Sequence, residues 1–291
     1  MPVAIKMMRH DLAMQPDFLS NFQNEAKTIA SLDHENIIKV YDIEERFQTV
    51  FLIMEYIEGE PLIKMLKRLK TIPPSLAVRY LIQICSGLQY AHSRGIIHRD
   101  INSSNIIVQR DDRLKILDFG LACPIGTEDF SSLGTLAYMA PEQITGDAMD
   151  ERTDIYALGI TTYEMIVGGR PFREDDGHIL EEMHLNQDIP DPAAGVPDLS
   201  KDLQRFVIKC CQRDPNLRYD NIQQALADLK SSAGEQGAGI KKAAAPKRKR
   251  TTPILSFEDK NKLALQQLVK EFSAKVRKLD VDLKVSELPE D

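Results

Sequence analysis

The sequence predicts an α+β fold in which a small β-rich part precedes a larger helical one, and three observations carry that prediction. Short β-branched and aromatic runs crowd the beginning of the chain, at Val3-Ala4-Ile5-Lys6, Ile37 to Ile43 and Thr49 to Tyr56. Beyond them the apolar spacing lengthens to three and four. After Pro73-Pro74-Ser75 the residues Val78, Leu81, Ile84, Cys85, Leu88 and Ala91 fall on one helical face, before a stop at Gly95. The character changes once more past residue 230, where a small, glycine-containing stretch leads to Lys241, Lys242, Lys247, Arg248, Lys249 and Arg250. The chain divides accordingly into 1–57, a small lobe; 58–230, a large lobe; 231–256, a linker with a basic run; and 257–291, an amphipathic tail.

Each element has its own warrant. Val3 to Lys6 is an apolar strand closing on a lysine, and Phe18, Phe22, Ala26 and Ile29 recur at helical spacing behind Asp17, with Glu25 beside the stripe. The polar run Glu44-Glu45-Arg46 is expected to turn the chain between the next two strands. After the helix that opens at Pro73, a loop at 97–105 and a hairpin separate two acids, Asp100 and Asp118. Then come a polar, turn-rich segment from Leu121 to Met139 and a helix from Ile155 to Val167 opened by Asp154. Asp202 to Lys209 and Ile222 to Leu229 are amphipathic helices. In the tail, Leu265, Leu268, Phe272, Val276 and Leu279 form a helical stripe that must be buried somewhere, on this chain or on a second copy. Leu279 to Ser286 alternates apolar and polar residues like a strand.

Composition excludes several classes. A net charge of −7 argues against general nucleic-acid binding. The four cysteines, Cys85, Cys123, Cys210 and Cys211, lack metal-ligand or disulfide spacing, which points to a reducing, cytoplasmic setting. No apolar run reaches the length of a membrane span, and the first residues lack the regions of a secretion signal.

The chemistry concentrates in Ile97-His98-Arg99-Asp100-Ile101-Asn102-Ser103-Ser104-Asn105 and Asp118-Phe119-Gly120, followed by Ala140-Pro141-Glu142. Two acids and an amide on loops between β-branched runs are what a site needs to place divalent cations and a catalytic carboxylate around a triphosphate. The ordered set H-R-D-x-x-x-x-N, D-F-G and A-P-E resembles the eukaryotic-like Ser/Thr protein kinases, in the form found in bacteria, from Val3 to about Lys230.

That resemblance implies a two-lobed kinase-like fold and a set of roles. Asp100 would accept the hydroxyl proton, and Asn105 and Asp118 would hold Mg²⁺. Lys6, paired with Glu25, would hold the ATP phosphates, while Ala4, Met54, Ile107 and the backbone of Glu55 and Ile57 would surround the adenine. His98 and Phe119 would pack in the site, Asp154 would receive backbone N–H groups of the catalytic loop, and Glu142 with Arg218 would form a buried ion pair. Arg99 resembles the arginine that captures a phosphorylated activation segment, for which Thr127, Ser131, Ser132 and Thr135 offer hydroxyls. Thr135 by its position implies protein substrates with Ser or Thr acceptors.

Two departures from the family pattern stand out. The glycine-rich loop that lies upstream of the lysine in the family has no counterpart in the sequence, so the expected small β lobe is truncated. Asn102 occupies the position where the Ser/Thr kinases carry a lysine for the γ-phosphate; as a candidate catalytic group it could donate a hydrogen bond but no charge. Two function classes therefore stay open: an ATP-dependent Ser/Thr kinase, and a catalytically impaired kinase-like binding module.

Overall fold

A computed structural model describes residues 2–7, 30–46, 49–119, 123–124, 136–196 and 198–234. The helix expected at 17–29 with Glu25, the four activation-segment hydroxyls, the basic run and the tail lie outside the described residues. The chain forms two compact units, one of Met1–Ala26, Lys39–Tyr56 and Gly239–Asp291, the other of Lys27–Ile38 and Ile57–Ala238. The architecture is α+β.

In the first unit β1 (Val3–Met7), β2 (Val40–Arg46) and β3 (Thr49–Glu55) form an antiparallel sheet in the order β1-β3-β2. Central β3 reads as an unbroken apolar run because both its neighbours are paired, and Phe51, Leu52 and Ile53 are all buried. The expected strand 37–43 and its turn at 44–46 are displaced. Glu44, Glu45 and Arg46 belong to β2, opposite Phe51, Val50 and Thr49, and the register shifts between Val40 and Asp42. Ile37 and Ile38 are drawn out of that strand by the second unit, where Ile37 bridges Ile116 and Ile38 N–H donates to Ile116 O at 2.9 Å.

The second unit begins with β4 (Gly59–Pro61) and α1 (Leu62–Leu69), then α2 (Pro74–His92), β5 (Ile96–Ile97), β6 (Ile106–Gln109), β7 (Leu114–Ile116) and β8 (Cys123–Pro124). β4, β6 and β7 form one sheet, and β5 pairs with β8. Gly59 is required where β4 meets β6, since a Cβ there would lie 2.5 Å from Ile107 Cγ2 and from Val108 O. α2 starts with proline at its first turn and buries Ala77, Tyr80, Leu81, Ile84, Cys85, Leu88 and Ala91, while Val78 of the expected stripe is only half-buried. His92, its last residue, is buried as well.

After a 3₁₀ turn at Leu136–Tyr138 come α3 (Pro141–Thr145), α4 (Glu151–Val167), α5 (Gly177–Asn186), α6 (Pro192–Gly195), α7 (Lys201–Cys210) and α8 (Ile222–Gly234). α4 is the axis of this unit: every residue from Thr153 to Ile166 is buried, and α2, α7 and α8 pack around it. Two of its hydroxyls bond inside the helix, Thr161 Oγ1 to Ala157 O at 2.8 Å and Thr162 Oγ1 to Leu158 O at 2.6 Å. No helix among the described residues is long and apolar enough to cross a membrane.

Candidate active site

The loop between β5 and β6 is anchored at both ends by apolar side chains. Ile97, Ile101 and Ile106 are fully buried, so the intervening backbone must find its partners within the protein. It does so through groups on elements distant in sequence. Asp154, itself inaccessible to solvent, accepts His98 N–H on Oδ2 and Arg99 N–H on Oδ1, both at 2.8 Å. Gln143 Nε2 donates to Arg99 O at 3.0 Å, and Ser103 O receives Ile63 N–H at 2.8 Å. These bonds hold Arg99 at φ +68, a left-handed conformation that a residue with a long side chain adopts only when its surroundings demand it.

Asp154 was expected to open its helix. The helix begins three residues earlier, with Asp150 as the N-cap accepting Arg152 N–H, which leaves Asp154 in the first turn facing inward. Its third partner is His92, whose Nε2 lies 2.7 Å from Asp154 Oδ2; Nδ1 lies 3.4 Å from Glu151 Oε2, an ionic contact without hydrogen-bond geometry. Burial pulls the His92 pKa down, but the two carboxylates prevail and raise it to about 9. Burial likewise pushes Asp154 up, and the His92 hydrogen bond outweighs it, so the carboxyl is held below its usual range. A buried imidazolium therefore balances the acid that clamps the loop. Sequence reasoning missed His92, which looks like one more residue of a scaffold helix.

Asp100, half-buried, carries the loop's exposed chemistry. Asn102 Nδ2 donates to its Oδ1 at 2.8 Å and Asn105 Nδ2 to its Oδ2 at 2.8 Å; the same two nitrogens reach Asp100 O at 3.1 and 2.9 Å. His98 Nδ1 accepts Asp100 N–H at 3.2 Å while Nε2 donates to Leu117 O at 2.8 Å, and the His98 ring packs 4.4 Å from that of Phe119. Leu117 N–H donates to Asn105 O at 2.8 Å, so the residue before Asp118 is tied to Asn105. Asp118 has φ +52, a conformation aspartate tolerates better than most side chains.

The donor set of Asn105 and Asp118 suits Mg²⁺. Both supply hard oxygens, and among the described residues no donor reaches Asn105 Oδ1. Among the described residues no group of three His, Cys, Asp or Glu side chains could hold a metal ion.

Farther out, Glu142 and Arg218 form a bidentate pair at 2.7 and 2.8 Å. The remaining Arg218 N–H groups donate to Gln212 O, Arg152 O and Arg213 O, so all five donors of a fully buried guanidinium are used. Ser103 Oγ meets Tyr138 OH at 3.2 Å, and Tyr138 donates to Glu164 at 2.7 Å. Burial, reinforced by Glu164, pushes the Tyr138 phenol up. Tyr138 and Glu164 link the loop between β5 and β6 to the 3₁₀ turn and to α4, and no motif in the sequence announces them.

In the first unit, Ala4 pairs with Met54 and Lys6 with Leu52 across β1 and β3, and Lys6 is exposed. Glu55 closes β3, its N–H donating to Lys39 O at 2.9 Å. Ile57 and Ile107 belong to the second unit, Ile107 half-buried in β6 opposite Pro61. A surface pocket of about 440 Å³ lined by Glu164, Gly169, Arg170, Arg173, Glu174 and Asp175 contains none of these groups.

The sequence profile of the protein kinase domain matches residues 1–229. Among curated proteins, the serine/threonine-protein kinase PknB of Mycobacterium leprae is 34% identical over 236 residues, 78% of this chain and 38% of that protein. PknB of Mycobacterium tuberculosis H37Rv is 34% identical over 237 residues, 78% of this chain and 38% of its own length. PrkC of Bacillus subtilis is 33% identical over 234 residues, 79% of this chain and 36% of that protein. The match thus spans less than two-fifths of the length of these relatives.

Proposed function

This chain belongs to the protein kinase domain family, and on that premise we propose that it transfers the γ-phosphate of ATP to a Ser or Thr hydroxyl of a protein. The observation that carries the reading is the Asp100 carboxylate, oriented by two amides on a loop whose backbone is held from α4. In the proposed reaction the acceptor oxygen attacks the γ-phosphorus, the bond to the β-phosphate oxygen breaks, ADP departs, and the hydroxyl proton passes to Asp100. Mg²⁺, when bound, neutralises phosphate charge, and Asn105 and Asp118 are the residues that would hold it.

Lys6 and Glu25 are proposed to hold the phosphates, and Ala4, Met54, Glu55, Ile57 and Ile107 to line the adenine. His98, Arg99, Phe119, Asp154, Glu142 and Arg218 act as supports, as their hydrogen bonds and packing suggest. Thr127, Ser131, Ser132 and Thr135 are proposed as regulatory hydroxyls, and the tail as a surface for self-association. The buried thiols of Cys85, Cys210 and Cys211 favour a cytoplasmic setting.

One observation favours the second reading, a kinase-like binding module. Asn102, at the position of the family's phosphate-binding lysine, turns its amide inward and is 2% exposed. Transfer of labelled γ-phosphate to a generic protein substrate separates the two: Asp100→Asn is expected to lose on the order of 10²-fold or more in rate. Equal rates for the two proteins would refute the enzyme reading.

A further inference from the structure

Asn102 has no hydrogen-bonding capacity left over. Its two N–H groups go to Asp100 O and Asp100 Oδ1, and its Oδ1 accepts Ser104 N–H at 2.8 Å and Asn105 N–H at 3.2 Å. The side chain is short, and at 2% exposure it is enclosed by the loop it bonds. A phosphate could be met by this amide only at the expense of a bond to Asp100.

Asn105 repeats the same arrangement from the other side, one N–H on the Asp100 carbonyl and one on Oδ2. Each carboxylate oxygen therefore takes one amide donor, which fixes both side-chain torsions of Asp100. A lysine in place of Asn102 would carry its ammonium on a flexible four-carbon stem and could leave the loop altogether.

We propose that Asn102 is a positioning residue: together with Asn105 it forms a two-amide clamp that holds the Asp100 carboxylate in one orientation, and it does not serve as a phosphate-binding group. This rests on the reading of Asp100 as the proton acceptor, but the clamp itself exists without nucleotide and can be tested without turnover.

The test is a swapped pair on the full chain. Asn102→Asp keeps the oxygen that accepts from Ser104 and Asn105 but sets two carboxylate oxygens face to face, so its thermal midpoint should fall by about 2–4 °C or more. Combined with Asp100→Asn, the donor and acceptor exchange ends: the new amide at 100 gives its N–H to the carboxylate at 102 and its oxygen to Asn105. The double variant should regain the part of the loss that comes from the two facing carboxylates, although not the bond to the Asp100 carbonyl. A double variant no more stable than the sum of its two single changes would overturn the clamp.

The kinetic arm uses Asn102→Ala. A positioning role lowers kcat about 10- to 100-fold while KM for ATP stays within about twofold. A raised KM with kcat unchanged would make Asn102 a nucleotide-binding residue and overturn the proposal. If the swapped pair recovers stability but the unsubstituted chain transfers no phosphate, the clamp stands and the enzyme reading falls.

Discussion

Replacing His92 by glutamine removes the buried cation that faces Asp154, the acid that also accepts the backbone N–H groups of His98 and Arg99. The size of the effect follows from linkage. His92 titrates near 6.5 in the unfolded chain and at about 9 when folded. The folded state binds the proton more tightly, so the stabilisation is fully present below pH 6.5 and is lost as pH rises through 9. The difference in pKa corresponds to about 3 kcal/mol. Other groups also titrate above pH 8, notably the Cys210 and Cys211 thiols that burial pushes up, so the informative quantity is a difference. Urea unfolding of the wild-type chain and of His92→Gln at pH 6, 7.5 and 9 should show a gap of about 3 kcal/mol at pH 6 that closes toward pH 9. A gap that is constant with pH would mean that His92 contributes packing alone, and the account of a charged imidazole balancing Asp154 would be wrong.

Two further predictions concern buried ionisable groups. Arg218→Met leaves Glu142 without its guanidinium and takes one donor from each of three backbone carbonyls, and should destabilise the chain by about 3–5 kcal/mol; calorimetry showing less than about 1 kcal/mol would refute a structural role for the pair. His184, buried with Nε2 unbonded and Nδ1 on Tyr156 OH, is lowered by burial, with Arg170 adding to it, to about 4. The unfolded chain takes that proton first, so stability should fall as pH drops from 6.5 toward 4, by up to about 3 kcal/mol, and a His184→Gln variant should lack that part of the acid slope.

The α+β class, the strands β1 and β3, the hairpin of β6 and β7, helix α2 and the identity of the loop around Asp100 were legible in the residues alone, because each of these is written in local spacing or in a contiguous motif. The resemblance to kinases, not periodicity, named Asp154, Glu142 and Arg218. The pairings between residues far apart in the chain emerged only on folding. His92 and Asp154 meet across 62 positions, and nothing in a helical stripe distinguishes a buried histidine that finds two carboxylates from one that finds none. The start of β2 at Val40 was decided in the same way, since Ile37 and Ile38 are as β-prone as Val40 and differ from it only in the strand that claims them. Asn102 makes the point at shortest range. Its identity predicts a donor without charge, but an amide has no intrinsic direction, and the loop folded around Asp100, not the residue type, turned that donor inward.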